Sequence, residues 1–302
     1  MIKTITYCGA KFTINSDGEL IRLEGGRGDI FIPSVFPTGE RITAIGSEFC
    51  APYDSHSSIV VDNAISVIKP RAFMNIKAGR VVWPSSCRRI PEGCFVECNM
   101  KAILNIENVE EVGDFAFKHS TIKSIEWPSK CTKIPLSCFH CSSLRTITNI
   151  QNVKEIEPCA FSCSYITEFA WPSGCEEIPA FCFEGSALTH ITGIENVKTI
   201  RYKAFKNCSL GSIIWPSECH TIPCGCFSLS RIKEIFNIQN VSHIERCAFK
   251  DALLLENLDL SHSAVVDIDE GAFYGLDSSI VKFPYYISRE SIKEAFEIKE
   301  VS

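Results

Sequence analysis

The residues best equipped for chemistry in this 302-residue chain are its 17 cysteines and 7 histidines. Several cysteines stand at separations that zinc sites use. These are Cys138-x-x-Cys141 with His140 between them, Cys94-x-x-x-Cys98, Cys159-x-x-x-Cys163 and Cys224-x-Cys226. A structural zinc site needs four ligands that converge, and one cysteine of most of these pairs is already claimed by a repeating core position described below. No metal site is therefore expected. The histidines (His56, His119, His140, His190, His220, His243, His262) share no common register, and no nucleophile–base set or glycine-rich phosphate loop stands out. The expectation is no enzyme, no catalytic residue and no cofactor. Arg27-Gly28-Asp29 has the form of an adhesion tripeptide, but glycine and aspartate before a strand read as turn residues.

What places the cysteines is a repeat. Phe73, Phe95, Phe117, Phe139, Phe161, Phe183, Phe205, Phe227 and Phe249 follow one another at 22-residue steps; Phe49 precedes and Phe273 follows at 24. A period of this length signifies a solenoid whose coils touch only their neighbours. Trp83, Trp127, Trp171 and Trp215 recur at 44, so two kinds of coil alternate. One reads Trp-Pro-Ser-x-Cys-x-x-Ile-Pro-x-x-Cys-Phe, as in Trp127 to Phe139. The other reads Asn-Ile-x-Asn-Val-x-x-Ile-x-x-x-Ala-Phe, as in Asn149 to Phe161. In the tryptophan column Asn105, Asn149, Gly193 and Asn237 fall between the indoles and read as small spacers that let layers interdigitate. Ala and Cys alternate just before each Phe, and Cys and Val alternate in the column of Cys131 and Val153. These cysteines read as small apolar core residues. Same-column cysteines two coils apart lie roughly 10 Å from each other, beyond the ~7 Å a disulfide allows. Cys141 and Cys163, in one column of adjacent coils, are the pair that could bridge if the chain were exported.

The elements follow from this rhythm. Each coil should hold a short strand, as at Ser124 to Trp127, ended by a proline that cannot donate to a ladder. The strands should stack in parallel as one long sheet. Residues 1–45 do not follow the repeat and read as a hairpin cap: strands at Ile5 to Ile14 and Glu19 to Leu23 around Asn15-Ser16-Asp17-Gly18, then a strand from Ile30 to Pro33. Residues 46–284 form the solenoid, with an irregular insertion at Ala51 to Ser58 and a longer coil from Ala252 to Tyr274 carrying Leu255, Leu258 and Leu260. Residues 285–302 read as a second cap, either a short helix started by Ser288 or Ser291 or a degenerate coil around Phe296.

The net charge of −6 and the scatter of 30 basic residues leave no basic stripe for nucleic acid. No run approaches the ~20 apolar residues of a membrane span. The N-terminus lacks the pattern of a signal peptide, and with core-column cysteines that favours a reducing, cytoplasmic setting.

The unit Ile122-x-x-Ile125-x-Trp127-Pro128-Ser129-x-Cys131-x-x-Ile134-Pro135-x-x-Cys138-Phe139 resembles the BspA-like leucine-rich repeat. The segments Gly28 to Ser34 and Ile42 to Gly46 are similar to that family's entry into its first repeat, and Ser291 to Phe296 to its exit. The resemblance implies a curved right-handed stack of about eleven 22-residue coils, a parallel sheet on the concave face and little helix. It also implies a non-catalytic protein-binding module of adhesion or scaffold type, with a protein partner such as a host or cell-surface protein. It carries the cell surface as the alternative compartment. The chain departs from the family pattern in placing Trp or Asn where Leu is usual.

Two binding surfaces are expected. One residue after each buried strand isoleucine comes a column facing solvent: Val82, Leu104, Glu126, Thr148, Ala170, Thr192, Ile214 and Phe236. Val82 with Leu104, and Ile214 with Phe236, form apolar pairs where polar residues would suffice, which marks a partner site. In the alternative, Trp83, Trp127, Trp171 and Trp215 face outward and stack on sugar rings. A third reading is a spacer with no ligand. A monomer is expected.

Overall fold

The structure, a computed structural model, describes residues 2–26, 28–50, 55–254 and 256–298. It is a β-solenoid of about twelve turns with parallel strands and little helix. Its residues gather into two compact units, Met1–Asn152 and Val153–Ser302.

The first unit opens with strands Lys3–Tyr7, Ala10–Ile14 and Glu19–Gly25, each antiparallel to the one before. The continuous strand expected from Ile5 to Ile14 is instead a hairpin, reversing at Cys8 and Gly9 with φ of 49° and 82°. Two-residue hairpin turns of this hand need positive φ at both central positions, and Cys8 adopts it without being glycine. The second reversal lies where the sequence puts it. Asn15 Oδ1 accepts hydrogen bonds from the backbone N–H of Asp17 (3.0 Å) and Glu19 (2.9 Å), and Gly18 has φ 79°. Phe12 and Phe36 pack at a centroid distance of 5.2 Å beneath this sheet. Leu23 N donates to Phe49 O at 2.8 Å, joining the cap to the first coil.

Gly28–Ile32 is already a rung of the stack. It pairs in parallel with Ser55–Val61, which pairs with Lys77–Val82, which pairs with Asn99–Leu104. Of the irregular insertion expected at Ala51 to Ser58, residues 51–54 lie outside the described residues, and residues 55–58 belong to a strand whose pairing shifts register at Ser57, between the partners His56 and Ser58. Arg27 and Leu255 also lie outside the described residues. The single long sheet is not formed among the described residues of either unit. Among the described residues the strands join in pieces: the four just named, Ser124–Glu126 with Thr146–Thr148, Glu168–Ala170 with His190–Thr192, and Ser209–Ile214 with Arg231–Phe236 and Leu253–Leu254. A second ladder, unforeseen from sequence, is built from two-residue strands around the buried isoleucines. Examples are Arg89–Ile90 with Glu111–Val112, and Thr221–Ile222 with His243–Ile244 and Asp267–Ile268.

A third ladder runs at the phenylalanines. From Phe73 to Phe273, residues two before and two after each Phe of the column are left-handed, as at Arg71 (φ 59°), Asn75 (61°), Phe115 (59°) and His119 (57°). The alternation turns every second N–H toward the following coil. Arg71, Phe73 and Asn75 donate to the carbonyls of Glu92, Cys94 and Val96 at 2.9, 3.0 and 2.9 Å. Such a ladder leaves unpaired N–H groups at its far end, and buried donors need partners. The helix Arg289–Phe296 supplies them: Glu294 O accepts from Gly271 N at 2.9 Å and Ala295 O from Phe273 N at 2.7 Å. Ser288 caps that helix, accepting from Ser291 N at 3.0 Å. Phe296 stacks on Phe273 at 5.5 Å. The two expected forms of this segment coexist, a helix that also carries the next phenylalanine of the column.

The core is that column. In the first unit Phe73, Phe95, Phe117 and Phe139 stack at successive centroid distances of 5.6, 5.4 and 5.4 Å. In the second, Phe161 to Phe273 stack at 5.3–6.0 Å. Offset aromatic contacts of this kind each add about 0.5–1.5 kcal/mol beyond burial, and the column repeats the contact on every rung.

The tryptophans lie beside it, with 0–4% of their surface exposed. Each indole N–H donates to the carbonyl of the cysteine four residues on: Trp83 to Cys87 (3.0 Å), Trp127 to Cys131 (3.2 Å), Trp171 to Cys175 (2.9 Å) and Trp215 to Cys219 (2.8 Å). The glycan ladder is thereby overturned. A buried ring whose polar edge is already satisfied presents no face to a sugar. The spacer reading of the intervening column also changes. Asn105, Asn149 and Asn237 are left-handed (φ 66°, 62°, 61°), and each side-chain amide donates to the preceding tryptophan's carbonyl at 2.7 Å. Gly193, the fourth member, has φ 77°, and a Cβ there would meet Trp171 O at 2.7 Å. Asparagine and glycine stand in this column because the chain turns left-handed after the strand of each coil that alternates with a tryptophan coil, a conformation other residues resist.

Candidate functional site

Each of the eight residues of the predicted solvent-facing column lies on the open side of the strands of its own unit. Val82 is half-buried; Leu104, Glu126, Thr148, Ala170, Thr192, Ile214 and Phe236 are exposed. The residues before most of them are buried: Val81, Ile103, Ile125, Phe169, Ile191 and Ile213. The two-residue period of a strand gives this inside–outside pattern. Ladder register places Val82 opposite Leu104, Glu126 opposite Thr148, Ala170 opposite Thr192, and Ile214 opposite Phe236.

The structure extends the first apolar pair in a way the repeat could not show. Register puts Phe31 opposite Val60 and Val60 opposite Val82. Phe31, Val60, Val82 and Leu104 therefore form one stripe across four hydrogen-bonded strands of the first unit. Phe31 and Leu104 are 40% and 43% exposed. Phe31 and Val60 precede the regular coils, so no 22-residue spacing points to them. In the second unit Ile214 (65% exposed) and Phe236 (45%) stand alone as an apolar pair.

The stripe runs into a groove. Strands Asn99–Leu104 and Ser124–Glu126 share no ladder among the described residues, and between them the surface opens into a volume of about 500 Å3. Leu104, Asn105, Glu107, Glu126, Ser129 and Thr148 line it. Glu107 and Glu126 are exposed carboxylates that form no ion pair among the described residues. The site is an apolar strip with uncompensated negative charge at one end.

A sequence model of the BspA type leucine rich repeat region matches this chain in 6 copies, over residues 66–186 and 154–280. The chain belongs to the BspA-type leucine-rich repeat family. A search of curated protein sequences finds no match. Two solved structures share the fold. A leucine-rich repeat protein from Bacteroides ovatus is 15% identical, with a TM-score of 0.60 over 89% of this chain and 86% of its own. The pneumococcal vaccine antigen PcpA is 17% identical, with a TM-score of 0.54 over 91% of this chain and 79% of its own.

The core-column cysteines of this BspA-type chain serve the fold. Cys94, Cys138, Cys182 and Cys226 are buried, and burial pushes their thiols well above the usual range. Cys131, Cys175 and Cys219 are pushed up to about 12, chiefly by burial. Their thiols sit 3.4, 3.5 and 3.5 Å from the carbonyls of Val109, Val153 and Val197, as weak donors to the preceding coil. A thiol held above its ordinary range is neither nucleophile nor ready metal ligand. Cys141 and Cys163 are thiols in the structure, Cys141 Sγ lying 3.3 Å from His140 Nε2 and Cys163 exposed. Among the described residues one set of metal-capable side chains converges, and cysteine spacing does not reveal it: His243, Asp267 and Asp269. No helix among the described residues is long and apolar enough to cross a membrane.

Proposed function

We propose that this chain is a non-catalytic protein-binding module that recognises its partner with the open face of the strand ladder in residues 28–148. The observation that carries the reading is the stripe Phe31–Val60–Val82–Leu104. Four aligned apolar side chains on a face that needs only polar ones form a patch of the kind that marks interaction sites. Glu126 and Glu107 at the groove end call for a cationic side chain on the partner. The matching segment is a stretch of apolar residues with a lysine or arginine beside it. Glu126 and Thr148 supply the polar rim of this strip; within the second unit, Ala170, Thr192, Ile214 and Phe236 form a separate outward column of their own. Burying this rim-and-strip arrangement is how a modest surface gains specificity.

Site-specific photocrosslinking in extracts of the source cell tests it. A benzophenone amino acid at position 104 or 82 should capture one discrete protein, and the same probe at Glu177 on the second ladder should not. The substitutions Leu104→Glu and Glu126→Lys, which touch only exposed side chains, should abolish capture by probes elsewhere on the stripe. Equal capture at positions 104 and 177, or capture that survives both substitutions, would refute the reading.

A further inference from the structure

We propose that His243, Asp267 and Asp269 form a binding site for a first-row divalent metal ion of the zinc class. The second ladder creates the site. His243 and Asp267 are directly opposed partners on the parallel strands His243–Ile244 and Asp267–Ile268. Asp269 lies two residues beyond Asp267, so its side chain returns to the same side of the backbone. His243 Nε2 is 2.9 Å from Asp269 Oδ1 and 3.6 Å from Asp267 Oδ2, and the three ligand atoms lie within 4.8 Å of one another. Metal–nitrogen and metal–oxygen bonds of ~2.1 Å in tetrahedral array set ligand atoms about 3.4 Å apart. The two edges measured here bracket that value.

Three features distinguish this cluster from an ordinary surface ion pair. First, two carboxylates face one imidazole, and no lysine or arginine side chain pairs with either carboxylate among the described residues. Elsewhere on the second unit's ladder an acid is met by a full cation, as where Arg201 pairs with Glu177 at 2.7 Å. Second, Asp269 is oriented from behind: its Oδ2 accepts the backbone N–H of Arg246 at 3.0 Å, leaving Oδ1 to face His243. Partners of this kind fix the geometry of metal-binding carboxylates. Third, the site falls where the repeat lengthens. His243 to Asp267 spans 24 residues rather than 22, so a bound ion would clip the irregular coil to the regular one before it. One imidazole with two carboxylates suits zinc, cobalt or manganese. Water completes the coordination, because all three side chains are partly exposed.

Titration with Co2+, followed by visible absorption, tests the proposal on the full chain. One equivalent should bind with weak d–d bands and without the sulfur-to-cobalt band that binding at Cys8 or Cys163 would give. Zn2+ should displace it. His243→Ala and Asp267→Asn should each weaken binding at least tenfold while leaving the far-ultraviolet circular dichroism unchanged. No uptake at millimolar Co2+, uptake undiminished in both variants, or a sulfur-to-cobalt band alone would overturn it.

Discussion

The asparagine column yields an inverted substitution order. Asn149 is left-handed at φ 62°, and its side-chain amide donates to Trp127 O at 2.7 Å. Asn149→Ala loses that bond, about 1 kcal/mol, and holds alanine in a left-handed conformation that costs about 1–2 kcal/mol. The total is about 2–3 kcal/mol. Asn149→Gly loses the same bond but carries no left-handed penalty, only the added freedom of the unfolded chain, about 0.5 kcal/mol. Its total is about 1.5 kcal/mol, so glycine should be better than alanine by about 1 kcal/mol. At an ordinary strand position such as Thr146 the order should be the usual one, alanine above glycine. The assay is urea unfolding followed by circular dichroism, with stability compared at unchanged slope. Gly193 shows that the stack accepts glycine at this place in a coil. If Asn149→Ala were as stable as Asn149→Gly, the left-handed backbone would not be what selects this column, and the argument would fail.

Two further predictions concern the interior. In native protein a thiol reagent at neutral pH should modify Cys8 and Cys163, both exposed, within minutes, while Cys94, Cys138, Cys182 and Cys226 should react only in denaturant; mass mapping of the labelled peptides reads this, and rapid labelling of Cys138 would contradict the packing described. Three residues after the phenylalanines runs a buried column that includes Cys98, Ser120, Ser142, Ser186, Cys208 and Ser230. Ser230 Oγ donates to Phe205 O at 2.7 Å and accepts from Cys208 N at 3.2 Å, whereas Ser120 Oγ is buried without a partner among the described residues. Ser230→Ala should therefore cost about 1–3 kcal/mol and Ser120→Ala close to nothing, a contrast that thermal unfolding of the two variants measures directly.

Much of the solenoid was legible because its information is periodic. Phenylalanine at every twenty-second residue, with Ala or Cys before it and isoleucine five before it, can be buried only by stacking coils, so the core and the outward column at Leu104 and Phe236 follow from the period and the alternation of a strand. Side-chain type narrowed the helix cap to Ser288 or Ser291, and the structure makes it Ser288. What the sequence could not state was the sign of φ. Arg71, Phe115, Lys203 and Leu229 occupy left-handed positions that nothing in their residue types announces; the carbonyls of the next coil impose that conformation, since only there do successive N–H groups all point along the stack. The cap hairpin at Cys8-Gly9 was hidden likewise.

Composition and spacing by themselves determined that this chain is a stack of alternating coils filled by phenylalanine, tryptophan, cysteine and isoleucine. The tertiary structure decided which surface residues meet. Phe31 and Val60 join Val82 and Leu104 because strands pair across a segment where the repeat is broken, and His243 reaches Asp267 and Asp269 because a coil is two residues longer. Both proposed sites depend on hydrogen-bonded register between rungs, which a linear period encodes only while it stays regular.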